Sequence, residues 1–192
     1  MKTYQRAIGS PNAKRRVWEP VLTVIVTILV VLGVEFCVAL AVMWWGVVNV
    51  GADHPHPQPV RWYLDRAMVH SVKEHARGLR APAQVPLAWG ASGYGHLCVS
   101  CHGAPGVEPS PVGQGLSPHP PALIRTASDW TVEQVYWIAA HGVGDTGMPA
   151  FGVTQDEQEL WAIAYFVKQL PNLTPAEYKK LVAEGTIAFG SD

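Results

Sequence analysis

The longest pattern in the chain is an apolar run in which residues 21–43 carry a single charge, Glu35, over 23 positions. As a helix it would measure roughly 35 Å at about 1.5 Å per residue, enough to cross a hydrocarbon core of about 30 Å. Trp44 and Trp45 follow, at the level where amphipathic rings settle, and Pro20 before the run suits the first position of a helix. The pattern predicts a transmembrane anchor over residues 20–48. Residues 1–19 hold Lys2, Arg6, Lys14, Arg15 and Arg16 against Glu19 alone, which places this tail in the cytoplasm and the rest of the chain outside it. A cleavable signal peptide is the competing reading, with Ala39-Leu40-Ala41 as its processing site, but its apolar region would span only about 7 to 15 residues. Within the span, Gly33, Cys37 and Ala41 form a small-residue row at i+4 spacing, and Glu35 lies nearly opposite. Such a helix suits packing among others in a larger membrane complex; the plainer reading is a protonated Glu35 facing lipid.

Beyond the span, residues 49–60 form a linker that His54-Pro55-His56-Pro57-Gln58-Pro59 holds extended, because each proline disfavours helix before it. His54 and His56 lack neighbouring ligands that would make a copper site, and read as solvated. A connector helix over residues 60–78 puts Trp62, Met68, Val69, Val72, Ala76 and Leu79 on one side. Arg66, Lys73 and Arg77 line another, placed to rest on lipid phosphates or on the acidic C-terminal domain.

The final segment, 88–192, alternates helices with proline- and glycine-rich loops. A helix over residues 88–100 precedes a long loop, 103–128. The next helix starts after a Thr131/Gln134 capping box and stops at Gly142. After the loop 142–152, Thr154 and Glu157 are expected to cap a helix that Pro171 ends. Thr174, Pro175 and Glu177 open a last helix, with Gly185 expected to close it. No strand is called for, so the expected fold is all-α: tail 1–19, anchor 20–48, linker and connector 49–87, and a domain over 88–192. The formal net charge is only -1, which disfavours nucleic acid as a partner, yet residues 90–192 hold ten acidic and four basic side chains.

The chemistry lies in Cys98-Val99-Ser100-Cys101-His102. Two thiols separated by two residues can add to the porphyrin vinyl groups as thioethers, and the histidine that follows is delivered to the iron from the same side; the spacing is that of c-type haem attachment. A redox disulfide would want a strand-helix-strand setting. Zinc would want a second ligand pair, and only Cys37, a small hydrophobe in the apolar run, remains. One complete motif predicts one covalent haem.

The other face of the iron decides between carrying electrons and handling small ligands. Met148 stands 46 residues after His102 in Gly147-Met148-Pro149, a loop that can hold a thioether out from the backbone. His119, His141 or an open position are the alternatives.

On Cys98-x-x-Cys101-His102-Gly103, Pro121-Ala122-Leu123, Thr146-Gly147-Met148-Pro149-Ala150-Phe151-Gly152 and Ala164-Tyr165-Phe166, the segment 88–171 resembles class I cytochromes c. More narrowly it resembles the membrane-anchored single-haem cytochromes c of bacterial respiratory chains. The resemblance implies that Cys98 and Cys101 attach haem c, that His102 and Met148 are its axial ligands, and that the Pro121 carbonyl meets the His102 ring. It also implies that Leu123 and Tyr94 belong to the haem-binding set, and that Gly90 and Tyr94 meet Tyr165 where the first helix of the segment crosses the helix that Pro171 ends. The function implied is that of a periplasmic electron carrier tethered to the bacterial inner membrane, without acid, base or nucleophile of its own. It would serve an oxidase, a quinol-oxidising complex or a dehydrogenase, as subunit or as shuttle. The rival is a haem enzyme or gas sensor with a labile sixth ligand.

Overall fold

The computed structural model describes residues 11–189, with side chains over 18–185, and divides into residues 1–50 and residues 51–192. The basic side chains of the N-terminal tail lie outside the described set.

In the first unit, helix α1 (Pro11–Trp44) starts earlier than expected: Pro11 takes the opening position and Pro20 lies inside the helix. The intervening Asn12 to Glu19 are mostly good helix formers, so the helix runs through Pro20 at the cost of the one backbone bond its missing N–H cannot make. Thr23 and Thr27 turn their hydroxyls back onto the Glu19 and Thr23 carbonyls, each at 2.8 Å. Over Trp18–Trp44 the mean hydropathy reaches 2.8, so α1 is long and apolar enough to cross a membrane. Glu35, Cys37 and Gly33 are all exposed along it.

The second unit begins with α2 (Gln58–His75), which continues into a 3-10 turn, Ala76–Gly78. Its buried side carries Val72 and Ala76, with Met68, Val69 and Leu79 half-buried. Trp62, expected on that side, is 63% exposed, because residues 58–67 project beyond what the helix packs against. The C-terminal half of α2 lies on α7 (Val132–His141), where His75 stacks on Trp137 with ring centroids 5.4 Å apart.

Two helix crossings hold the haem-motif region. Helix α3 (Leu87–Leu97) lies between α8 (Glu157–Gln169) and α9 (Pro175–Phe189), and leads into α4 (Val99–His102). A Cβ built on Gly90 would sit 2.1 Å from the Ala162 carbonyl oxygen, so α3 and α8 touch backbone to backbone. Fully buried Tyr94, Phe166, Leu160, Ile163 and Leu170 fill the space around the crossing. Tyr94 meets Phe166, at 5.5 Å between centroids, and not Tyr165 as the resemblance implied. Tyr165, one position on and so about 100° round the helix, instead donates to the Pro82 carbonyl at 2.7 Å.

Gly185 does not close α9 but lies inside it, because a Cβ there would fall 1.9 Å from the Ala88 carbonyl oxygen. This glycine serves close approach, not termination. The Thr131/Gln134 capping box forms in full, and Thr174 and Glu177 make the reciprocal bonds of another. Thr154 does not cap α8: it bonds the Phe151 carbonyl within the 3-10 turn Phe151–Val153, and Asp156 takes the cap position without a side-chain bond. Tyr136 of α7 stacks on Trp161 of α8 at 3.8 Å and 7°.

Gly185→Ala should therefore lower the stability of the full chain by about 2 kcal/mol in denaturant unfolding, as overpacking typically does. Gly78→Ala, whose Cβ would meet nothing within 4 Å, should leave it nearly unchanged.

Candidate haem site

The motif is positioned from both ends. The Cys98 amide bonds the Tyr94 carbonyl at 2.9 Å, so α3 aims the first cysteine directly. On the far side the Tyr94 hydroxyl donates to the Gly103 carbonyl at 2.6 Å. Tyr94 thus holds both ends of the motif, its backbone carbonyl on Cys98 and its buried hydroxyl on Gly103, and its phenol is pushed well above its ordinary range, first by burial and then by the neighbouring Cys98.

Cys98 and Cys101 are both free thiols. Burial, with lesser contributions from Cys101 and Glu159, pushes the Cys98 thiol up to about 12. Among the described residues, no three His, Cys, Asp or Glu side chains converge into a metal-holding group.

His102 stands with Nδ1 2.8 Å from the Pro121 carbonyl oxygen. A carbonyl only accepts, so Nδ1 carries the proton and donates it, leaving Nε2 with a free lone pair. Burial lowers the affinity of this imidazole for a second proton, although the Pro121 carbonyl pulls the other way. The bond to Pro121 fixes the proton on Nδ1 and the orientation of the ring, as an iron ligand requires.

The expected long loop, 103–128, is folded against the motif. It contains two short helices, α5 (Pro111–Gln114) and α6 (Leu123–Thr126), and a 3-10 turn, Ala127–Asp129. The Ser110 amide bonds the Ser100 carbonyl at 2.9 Å, and a Cβ on Gly113 would lie 2.6 Å from that same oxygen. Leu123 opens α6 and packs, half-buried, against the core. Lys168 of α8 holds the loop's end: its ammonium donates to the carbonyls of Ala127, at 2.6 Å, and of Trp130.

Met148 lies in the loop after α7. Gly142 turns the chain at φ +67°, where a Cβ would also strike the Met148 carbonyl oxygen at 2.7 Å. That oxygen accepts from the Val143 amide at 3.3 Å, and the Met148 amide donates to the Thr146 hydroxyl at 3.1 Å. The backbone of Met148 is thus engaged on both sides while its thioether stays outside these bonds. Leu116 packs on Gly147, joining this loop to loop 103–128. Thr146 was not among the expected site residues, although a threonine two positions before a loop residue is a known backbone-bonding signal. His119 is exposed, and His141 lies against Trp137 at 4.8 Å between centroids.

An all-helical domain with a Cys-x-x-Cys-His motif, two free thiols and an imidazole oriented by the Pro121 carbonyl has the features of a class I c-type cytochrome domain. Residues 86–167, less than half of the chain, match the family described as cytochrome C oxidase, cbb3-type, subunit III. A domain of this kind carries covalently bound haem c with its iron. Neither the curated proteins nor the solved structures gave a match.

Tyr94→Phe would leave the Gly103 carbonyl buried without its donor, and should cost about 1–2 kcal/mol in denaturant unfolding. The haem spectrum of the folded variant should remain that of the wild type.

Proposed function

We propose that this chain is a membrane-anchored electron carrier, with its N-terminus in the cytoplasm, α1 crossing the bacterial inner membrane and a single-haem domain in the periplasm. Cys98 and Cys101 would form the thioether bonds, His102 would hold the iron through Nε2, and Met148 would supply a second ligand through its sulfur. The observation that carries this reading is the bond from His102 Nδ1 to the Pro121 carbonyl, which leaves the Nε2 lone pair as the ring's free ligating position.

When bound, the haem takes up and gives back one electron at its iron. The chain's residues keep the surroundings the same in both states. Pro121 holds the imidazole plane and raises its basicity. The Thr146 and Val143 contacts hold the backbone behind Met148, so the thioether need not move when the charge changes. A thioether ligand raises the potential and keeps small molecules off the iron, which favours electron transfer over a gas sensor or haem enzyme.

The redox partner belongs to a respiratory or dehydrogenase complex, and the description of the matched family, an oxidase subunit, favours an oxidase. Glu35 and the Gly33, Cys37, Ala41 row would pack α1 against other helices of that complex. The excess of acidic side chains in residues 90–192, with Asp156 and Glu157 exposed at the start of α8, suits a basic docking surface.

Met148→Ala tests the ligand assignment. The oxidised wild type should show the weak sulfur-to-iron band at the red end of the spectrum; the variant should lose it and bind carbon monoxide when reduced. A variant that kept the band would move the ligand to another residue. Acid-acetone should leave the haem on the protein in both.

Exposed charges act over about 10 Å at 0.1 M salt. If the carrier is mobile, its rate of electron transfer to the native partner should fall as ionic strength rises, and Glu157→Gln should lower it further. Glutamine keeps an oxygen for the Trp161 indole N–H, now 3.2 Å from Glu157, so only the charge changes. A rate insensitive to both would indicate permanent assembly.

A further inference from the structure

Helix α2 has no part in the haem site, yet one face of it is chemically distinctive. At about 100° per residue, Trp62, Tyr63, Arg66, His70 and Lys73 fall within one arc, beside the stripe of Val72 and Ala76 that packs inward. All five are exposed, Trp62 at 63% and Tyr63 at 66%. Arg77 in the following turn extends the row and pairs with Glu74 at 2.9 Å, whereas Arg66 and Lys73 have no carboxylate partner among the described residues. Residues 58–67 are exposed on every side, Val60 and Leu64 included.

We propose that this aromatic and basic face lies on the surface of the membrane that α1 crosses, its aromatic rings at the headgroup level and Arg66, Lys73 and Arg77 on anionic lipid phosphates. The inference rests on the anchor proposed above. Three observations favour lipid over other occupants. Only thirteen residues, 45–57, separate the end of α1 from the start of α2, so the two are never more than about 45 Å apart along the chain. Trp, Tyr and Arg together are the side chains that hold a helix in the interfacial plane. A second copy would bring like charges together on this face, and the acidic haem domain leaves its cations unpaired.

The test uses the full-length holoprotein in nanodiscs of phosphatidylcholine alone or with phosphatidylglycerol, reading amide hydrogen exchange across residues 58–67. With the anionic lipid, exchange should slow about tenfold, a modest share of what several basic residues near such a surface can contribute. Arg66→Glu with Lys73→Glu, or high salt, should abolish the slowing while the haem spectrum stays unchanged. Equal exchange in both lipids would overturn the proposal, as would slowing that appears only when the native redox complex is added, which would assign the face to a protein. A chain that washes out of the discs would overturn the anchor and this proposal together; a retained chain with unprotected α2 would overturn this proposal alone.

Discussion

The backbone contact of α3 with α8 on one side and α9 on the other is the constraint on which the rest of the domain depends. Gly90 lets the Ala162 carbonyl approach, and Gly185 lets α9 approach the Ala88 carbonyl. With no side chains to separate them, these helices have little freedom to slide, because any shift would lose contacts over the whole crossing. Since Cys98 hangs from the last turn of α3, that rigidity passes directly into the haem motif. Tyr94 carries it across to Gly103, so the cysteines and His102 occupy a segment fixed at both ends.

What the helices cannot supply, the loops do with proline and short-range bonds. The carbonyl facing His102 follows two consecutive prolines, Pro120 and Pro121, whose fixed φ angles leave it little room to turn away. Holding a ring in place with a stiff carbonyl costs less entropy than holding it with a long side chain. The methionine loop uses the same economy differently: Thr146 and Val143 occupy the backbone groups of Met148, and Leu116 braces the loop from outside. Lys168 is the exception, a long side chain ordered across the gap, and three carbonyls from residues 127–130 share its ammonium.

Signals confined to a few residues were legible in the sequence. The motif, the capping boxes at Thr131 and Thr174, the methionine loop and the apolar span each depend on neighbours along the chain. The Pro121 contact with His102 was foreseeable only through resemblance, since nothing local joins residues 19 positions apart. The readings that failed were decided by packing. Gly185 has the character of a helix stop, but a passing helix needs its missing side chain. Thr154 and Glu157 have capping-box spacing, but a 3-10 turn claims Thr154 first. Tyr165 and Phe166 are adjacent aromatics, and only the crossing geometry determines which of them faces Tyr94. Lys168 gives no local signal at all, because its acceptors lie about 40 residues away.

The connector shows how local order bears on electron transfer. The C-terminal half of α2 is joined to the haem domain through Val72, Ala76 and the His75 stack on Trp137. Its N-terminal half has no such cover, so whatever engages that half also fixes the orientation of the domain. A tether alone would raise the local concentration of the haem near its partner while leaving its orientation free. A helix that belongs to the domain and also grips a surface would restrict orientation as well. The rate would then depend less on any long-range attraction by the acidic side chains and more on which edge of the domain is presented, because electron transfer requires a particular approach and not proximity alone.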